Sequence, residues 1–207
     1  MLKVLGKPSS INVRKVLWLC AELDLPHEHE AWGSGFRSTD TPAFRALNPN
    51  GLVPVIVDGD FVLWESNTIC RYLAAQQGRL DLLPAAPRER ARVEQWMDWQ
   101  ATELNSAWRH AFMHLVRQSP AFADPAAAQA SAAQWNDRMA LLDAQLARTQ
   151  AFAAGPQFTL ADIVLGLSTH RWFATPIERP ALPAVEAYYA RLRERPGFRL
   201  HGDNGQP

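Results

Sequence analysis

The sequence predicts a small α/β domain followed by an all-α domain, and three observations carry that reading. Strand-like runs occur only before Glu65, where they alternate with helical patterns. A proline-rich break, Leu83-Pro-Ala-Ala-Pro87, comes next. Beyond it the apolar residues recur at helical spacing alone, as in Val93, Trp96, Leu104, Trp108, Phe112 and Leu115. The expected division is therefore an α/β domain over residues 1–78, a linker over 79–87 and a helical domain over 88–207.

Each element follows from local chemistry. Leu2 to Leu5 is a short apolar strand closed by Gly6, Lys7 and Pro8. Ser9 and Ser10 then precede a helix with Val13, Val16, Leu17, Cys20 and Leu23 on one face, ended by Pro26. His27 to Ala31 is a second strand of weaker pattern, and Trp32 to Asp40 is a loop. Thr41 to Leu47 is a short helix. Val53 to Val57 and Asp60 to Trp64 flank Asp58-Gly59, which predicts a hairpin with a type I′ turn. A helix from Ser66 to about Gln76 carries Ile69 and Leu73 on one side. The second half holds helical patterns at Arg88–Arg117, Ala126–Gln150, 160–173 and 183–194.

Composition narrows the function. Lysine plus arginine equals aspartate plus glutamate, 21 against 21, so no electrostatic footprint for nucleic acid or anionic membrane exists. The N-terminus has no signal-length apolar stretch, and no run of ~18 apolar residues occurs, so a cytoplasmic location is expected. Cys20 and Cys70 sit within apolar helical patterns and read as buried free thiols. His110 and His114 form an i, i+4 pair without an adjacent acid pattern, and no metal is expected there.

Three features carry chemistry. Pro54 interrupts Val-Pro-Val-Ile-Val, where it cannot donate to a ladder. It is either an edge-strand proline or a cis residue that turns the backbone of Val53 outward toward an extended ligand. Glu65-Ser66 lies at a strand-to-helix junction. Ser66 can cap the helix with its hydroxyl. Alternatively the exposed N–H groups hold an anion while Glu65 accepts from an amine, a combination suited to an α-amino acid terminus. Ser9-Ser10-Ile11-Asn12 opens the first helix, where Ser10 is a cap candidate and its hydroxyl also suits a thiolate. Lowering a thiol pKa of about 8.5 by two units takes about 2.7 kcal/mol. A hydroxyl hydrogen bond plus the helix terminus can supply it.

These stretches resemble a known family. Asn48-Pro-Asn-Gly-Leu-Val-Pro54, the hairpin, and Glu65-Ser66-Asn-Thr-Ile-Cys-Arg-Tyr-Leu73 are similar to the glutathione-binding half of cytosolic glutathione transferases. Gly155-Pro-Gln-Phe-Thr-Leu-Ala-Asp-Ile163 resembles the family's capping-box element. There Thr159 caps, Asp162 reaches back, and Phe158 staples against Ile163. The resemblance implies a thioredoxin-like N-terminal domain, a cis Pro54, and cysteinyl binding by the Val53 backbone. It implies that Glu65 and Ser66 hold the γ-glutamyl end, with Arg37 and Asn50 as candidates for the glycyl end.

No tyrosine precedes Tyr72 and no cysteine lies near 9–12. Ser10 aligns with the serine of theta- and delta-like enzymes, and Ser10 with Asn12 resembles the pair of bacterial nu-type enzymes. Ser9 stays open as a competitor. The implied activity is activation of the glutathione thiol for attack on a hydrophobic electrophile, in a homodimer joined across 66–76 and the helix after 88. Glutathione is then a co-substrate, with no resident cofactor. A glutathione-dependent disulfide reductase and a non-catalytic binding module are the alternatives.

Overall fold

A computed structural model describes all residues, 1–207. Four strands form one sheet: β1 (Leu2–Leu5), β2 (His27–Glu30), β3 (Val55–Asp58) and β4 (Phe61–Trp64), in the order β2-β1-β3-β4. β2 runs parallel to β1, while β3 and β4 are antiparallel to their neighbours. The parallel pair needs a crossover, which α1 (Ile11–Glu22) supplies. The short helix α2 (Pro42–Leu47) is capped by the Thr41 hydroxyl, which accepts from the Phe44 N–H at 3.2 Å. α3 (Ser66–Gln76) follows β4 directly. This is the thioredoxin-like arrangement expected of the first half, with the weak second strand present.

The β3–β4 turn differs from expectation. Asp58 pairs with Phe61, so the two central residues are Gly59 and Asp60. Gly59 has φ +63°, but Asp60 does not share a positive φ, and a type I′ turn requires it at both positions. Glycine takes the one position that needs it, and Asp58 belongs to the strand.

The remaining chain is helical: α4 (Pro87–Trp99), α5 (Asn105–Leu115), α6 (Pro125–Thr149), α7 (Leu160–Ala174), α8 (Pro183–Arg193) and α9 (Pro196–His201). The pattern expected as one helix over Arg88–Arg117 is divided by a π-helical turn at Gln100–Leu104 and ends at Leu115. The wider turn accommodates an extra residue and turns Gln100 fully inward. α9 went unforeseen because a six-residue helix carries too few turns to show a period. No helix is long and apolar enough to cross a membrane.

α1 is the hinge between the two halves. It packs on α3 on one side and on α7 and α9 on the other, so Ile11 and every residue from Val13 to Cys20 are buried. Two of these are cations. Arg14 donates to the carbonyl oxygens of His201 at 2.6 Å, Gln206 at 2.8 Å and Gly202, which draws the C-terminal segment onto α1. Gly197 permits that contact, since a Cβ there would lie 2.7 Å from Trp18 Cδ1. Beneath α1, α7 is buried along almost its whole length. Its first turn holds the expected capping box, in which Asp162 accepts from the Thr159 N–H at 2.8 Å. Phe158 and Ile163 lie in the same core cluster.

Candidate active site

Strand register brings the predicted residues together. Leu5 pairs with Glu30 on one side and Val55 on the other, and Val55 pairs with Trp64. These four residues form one row across the end of the sheet. The segments beyond them therefore all emerge at that end: the β1–α1 turn with Ser9 and Ser10, the loop with Arg37, the approach to Val53, and Glu65-Ser66. Residues scattered over half the chain become neighbours because the register is shared.

The β1–α1 turn lies against Val53. Gly6 occupies a close approach, where a Cβ would fall 2.4 Å from Val13 Cγ2 and 3.0 Å from Val53 Cβ. Its N–H donates to Glu30 at 2.9 Å and its carbonyl meets His29 Nε2 at 2.8 Å. Ser10 is the N-cap of α1, with its N–H on the Lys7 carbonyl at 3.0 Å. Its hydroxyl does not cap the helix, and neither it nor the Asn12 amide bonds to the chain. The N-terminal donors of α1 are thus left for another partner.

The Val53–Pro54 peptide is cis. Neither the N–H nor the C=O of Val53 forms a backbone hydrogen bond, although β3 begins two residues later. The preceding loop is fixed by Asn48, whose Nδ2 donates to the Leu52 carbonyl at 2.8 Å and whose Oδ1 accepts from the Asn50 N–H at 3.1 Å. Asn50 is held there through its side chain as well. Arg37 pairs with Glu30 at 2.8 Å and lies over the Trp32 ring, leaving most of its surface exposed.

At the second helix start, the capping alternative for Ser66 does not hold. Glu65 is the N-cap, with φ +75°, and Ser66 is the first helical residue, buried. Glu65 is exposed in a backbone region that non-glycine residues rarely occupy. A carboxylate and a set of helix N–H groups thus stand side by side, as the α-amino acid reading requires.

One residue escaped the sequence reading. Lys15 is 1% exposed and donates to Asn67 Oδ1 at 3.1 Å and Gln100 Oε1 at 2.9 Å. Burial lowers its pKa to about 8, with Cys70 and Glu65 acting against the shift and Arg171 adding to it. The signal was a lysine inside an otherwise apolar helical face. Trp172 belongs to the core, with its Nε1 on Asn136 Oδ1 at 2.9 Å. His110 and His114 bond to the carbonyl oxygens of Asp124 and Phe122. Cys20 and Cys70 are buried free thiols, both pushed up to about 12, first of all by burial.

Comparison with known proteins agrees with this geometry. Residues 9–76 match the glutathione S-transferase N-terminal domain and 106–196 the C-terminal domain. The chain is 40% identical over 201 residues to glutathione S-transferase GstB of Escherichia coli, covering 96% of each. It is 35% identical to glutathione S-transferase 3 of Zea mays, over 95% of this chain and 91% of that one. The theta class glutathione S-transferase of Xanthomonas axonopodis pv. citri, solved with glutathione bound, superposes with a TM-score of 0.91. It is 44% identical, covering 97% of this chain and 96% of that one. By its row of loops at one sheet end, its two open helix starts and these relatives, the chain belongs to the glutathione S-transferase family.

Proposed function

We propose that this chain is a serine-type glutathione transferase, in which Ser10 activates the glutathione thiol for attack on small electrophiles with a hydrophobic body. The cysteinyl unit pairs with the open N–H and C=O of Val53, beside Pro54. The γ-glutamyl carboxylate takes the α3 N-terminus at Ser66, and its ammonium faces Glu65. Arg37 and Asn50 flank the glycyl end. Ser10 donates to the sulfur, with Asn12 as a second donor, and the α1 terminus favours the thiolate. Thiolate and electrophile then react as bound neighbours.

The observation that carries this reading is the Ser10 hydroxyl, placed at the cap of α1 yet not engaged in capping. The domain division falls across 79–87. The enzyme works as a cytoplasmic homodimer across α3 and α4 with no resident cofactor. Disulfide reduction by this chain would need a second glutathione, since both of its own thiols are buried.

Titration of the purified protein with glutathione, following thiolate absorbance against pH, tests the proposal. The bound thiol pKa is expected below the free value and should rise by about one unit or more in Ser10→Ala. An unchanged pH dependence in that variant would remove Ser10 from the mechanism. Assay of a soluble disulfide alongside an aryl halide separates reduction from transfer.

A further inference from the structure

Between α5, α7 and the β1–α1 turn that carries Ser10 lies a group of cations with no acid to balance them. Arg171 on α7 is 3% exposed, and its guanidinium stacks over Phe112 at 4.0 Å and Trp108 at 4.6 Å. Its side chain makes no hydrogen bond or ion pair with the chain, and its Nε is buried without a partner. Arg117, just past the end of α5, also lies over Phe112, at 5.3 Å. Lys7, whose carbonyl holds the Ser10 N–H, feels the Arg117 charge and is likewise unpaired.

The cations behind Arg171 do not share its condition. Arg14 has its donors on three C-terminal carbonyls, and Lys15 has Asn67 and Gln100. Arg171 alone holds an unspent buried guanidinium. Burying such a charge is unfavourable unless it is paired, and stacking on the two rings offsets only part of that cost. Burial holds its pKa down to about 9, and the charges acting on it, Arg14 and Arg117, are both positive. A site with this composition is completed by an anion, with aromatic surface beside it.

We infer that the second-substrate side takes an electrophile with an aromatic body and an anionic head, a carboxylate or comparable oxyanion, which pairs with Arg171 beside Trp108 and Phe112. Arg117 and Lys7 attract the head at the entrance. This rests on the transferase reading above and narrows its substrate class. In the reaction, the glutathione sulfur bonds to the electrophilic carbon, the carbon–halogen bond breaks, and halide leaves with the electron pair. The thiol proton has already passed to solvent.

The test compares 4-(chloromethyl)benzoate with 4-(chloromethyl)benzamide, which share the reactive carbon and differ in charge. Wild-type kcat/KM should favour the benzoate by about tenfold or more, the scale of a charge-assisted hydrogen bond. In Arg171→Gln that ratio should collapse toward one. The double variant Lys7→Gln/Arg117→Gln changes side chains that are at most partly buried, so it serves if Arg171→Gln does not fold. It should lower the ratio and weaken its dependence on salt.

Equal rates for benzoate and amide in the wild type would overturn the inference. So would an equal fall for both substrates in Arg171→Gln, which would make Arg171 a partner of the thiolate instead. Failure of both substrates with an activated glutathione thiol also overturns it. An unactivated thiol in the pH titration defeats the transferase reading itself, and the two failures are told apart by that measurement.

Discussion

Lys15 Nζ donates to Asn67 Oδ1 at 3.1 Å, which ties the middle of α1 to the residue that follows Ser66. The same ammonium reaches Gln100 Oε1 in the π turn, and Gln100 Nε2 continues to Ser168 Oγ at 2.9 Å. One buried cation therefore joins α1, α3, the π turn and α7. The two helix starts that frame the proposed glutathione site are tied together by this contact.

Replacing Lys15 should change the pH dependence of stability. The folded pKa is about 8, against an ordinary value of 10.5. Between these values the unfolded chain keeps a proton that the folded chain has lost, so stability from this group rises with pH, by about 3 kcal/mol in all. Cys20 and Cys70 act in the opposite sense; with pKa values pushed up to about 12 their folded thiols stay protonated at about pH 10 in both proteins, and loss of the Lys15 charge only raises Cys70 further. Urea midpoints of wild type and Lys15→Met at about pH 7 and about pH 10 should show a stability difference that shifts toward the wild type as pH rises. A constant difference would show that Lys15 does not titrate in this window. Lys15→Met should also raise KM for glutathione by about tenfold.

The two adjacent serines should separate cleanly. Ser9→Ala should leave the bound thiol pKa in place, because Ser10 is the residue at the cap of α1. Asn12→Ala should raise it by less than Ser10→Ala, as loss of a secondary donor does. A larger shift in Ser9→Ala than in Ser10→Ala, read from thiolate absorbance, would reverse the assignment.

Gly6→Ala should disturb both fold and site. The added Cβ would meet Val13 Cγ2 at 2.4 Å and Val53 Cβ at 3.0 Å, forcing α1 away from the cis segment. Overpacking of this kind costs about 1–3 kcal/mol. The expected result is a lower thermal midpoint together with weaker glutathione binding by calorimetry. Wild-type affinity in the variant would show that the Gly6–Val53 contact does not set the site.

Asp162 is the stability test in the helical domain. Its carboxylate accepts from the N–H groups of Ala153 at 2.9 Å and Thr159 at 2.8 Å, and from the Tyr188 hydroxyl at 3.1 Å. Asp162→Asn puts an NH2 where one oxygen accepts, and should cost about 2–4 kcal/mol. Burial raises the carboxyl pKa to about 6, against these hydrogen bonds. Stability from this raised pKa is present below the unfolded value of about 3.9 and is lost as pH rises through about 6. The gap in thermal midpoint between the two proteins should accordingly be wider at about pH 5 than at about pH 7. A gap that widens with pH instead would contradict the assignment.

The proposed homodimer is tested by sedimentation. Phe61 is 44% exposed and lies 5.1 Å from the Tyr72 ring on α3, an apolar surface on the side proposed for the partner. The expected mass is twice 23.2 kDa, and Phe61→Glu should shift it toward a single chain. A wild-type monomer would end the dimer proposal.

Much of this was legible in the linear chain. The strand runs, the helix from Ser66 to Gln76, the Thr159–Asp162 box and the buried cysteines depend on local pattern, and each lies within two residues of where it was expected. The failures also have local causes. The β3–β4 turn was misjudged because Asp-Gly signals two turn types, and strand pairing decides which residues are central. Of the two roles open to Ser66, capping fails because the sharp backbone at Glu65 moves the helix start by one residue. The π turn is invisible to periodicity, since it adds one residue to an otherwise regular pattern.

The sequence by itself determined which segments are strands and helices, where the sheet-bearing half ends, and which residue types stand at the two helix starts. These depend on spacing and on side-chain chemistry within a few residues. Tertiary structure decided which of them meet. The row Glu30–Leu5–Val55–Trp64 exists only through register. The isolation of Arg171 against Phe112 exists only because folding brings α7 against α5, and the burial of Lys15 between Asn67 and Gln100 only through packing of α1 on its neighbours. A charge's partners are set by distance in space, and residues far apart in the chain come within that distance only after folding.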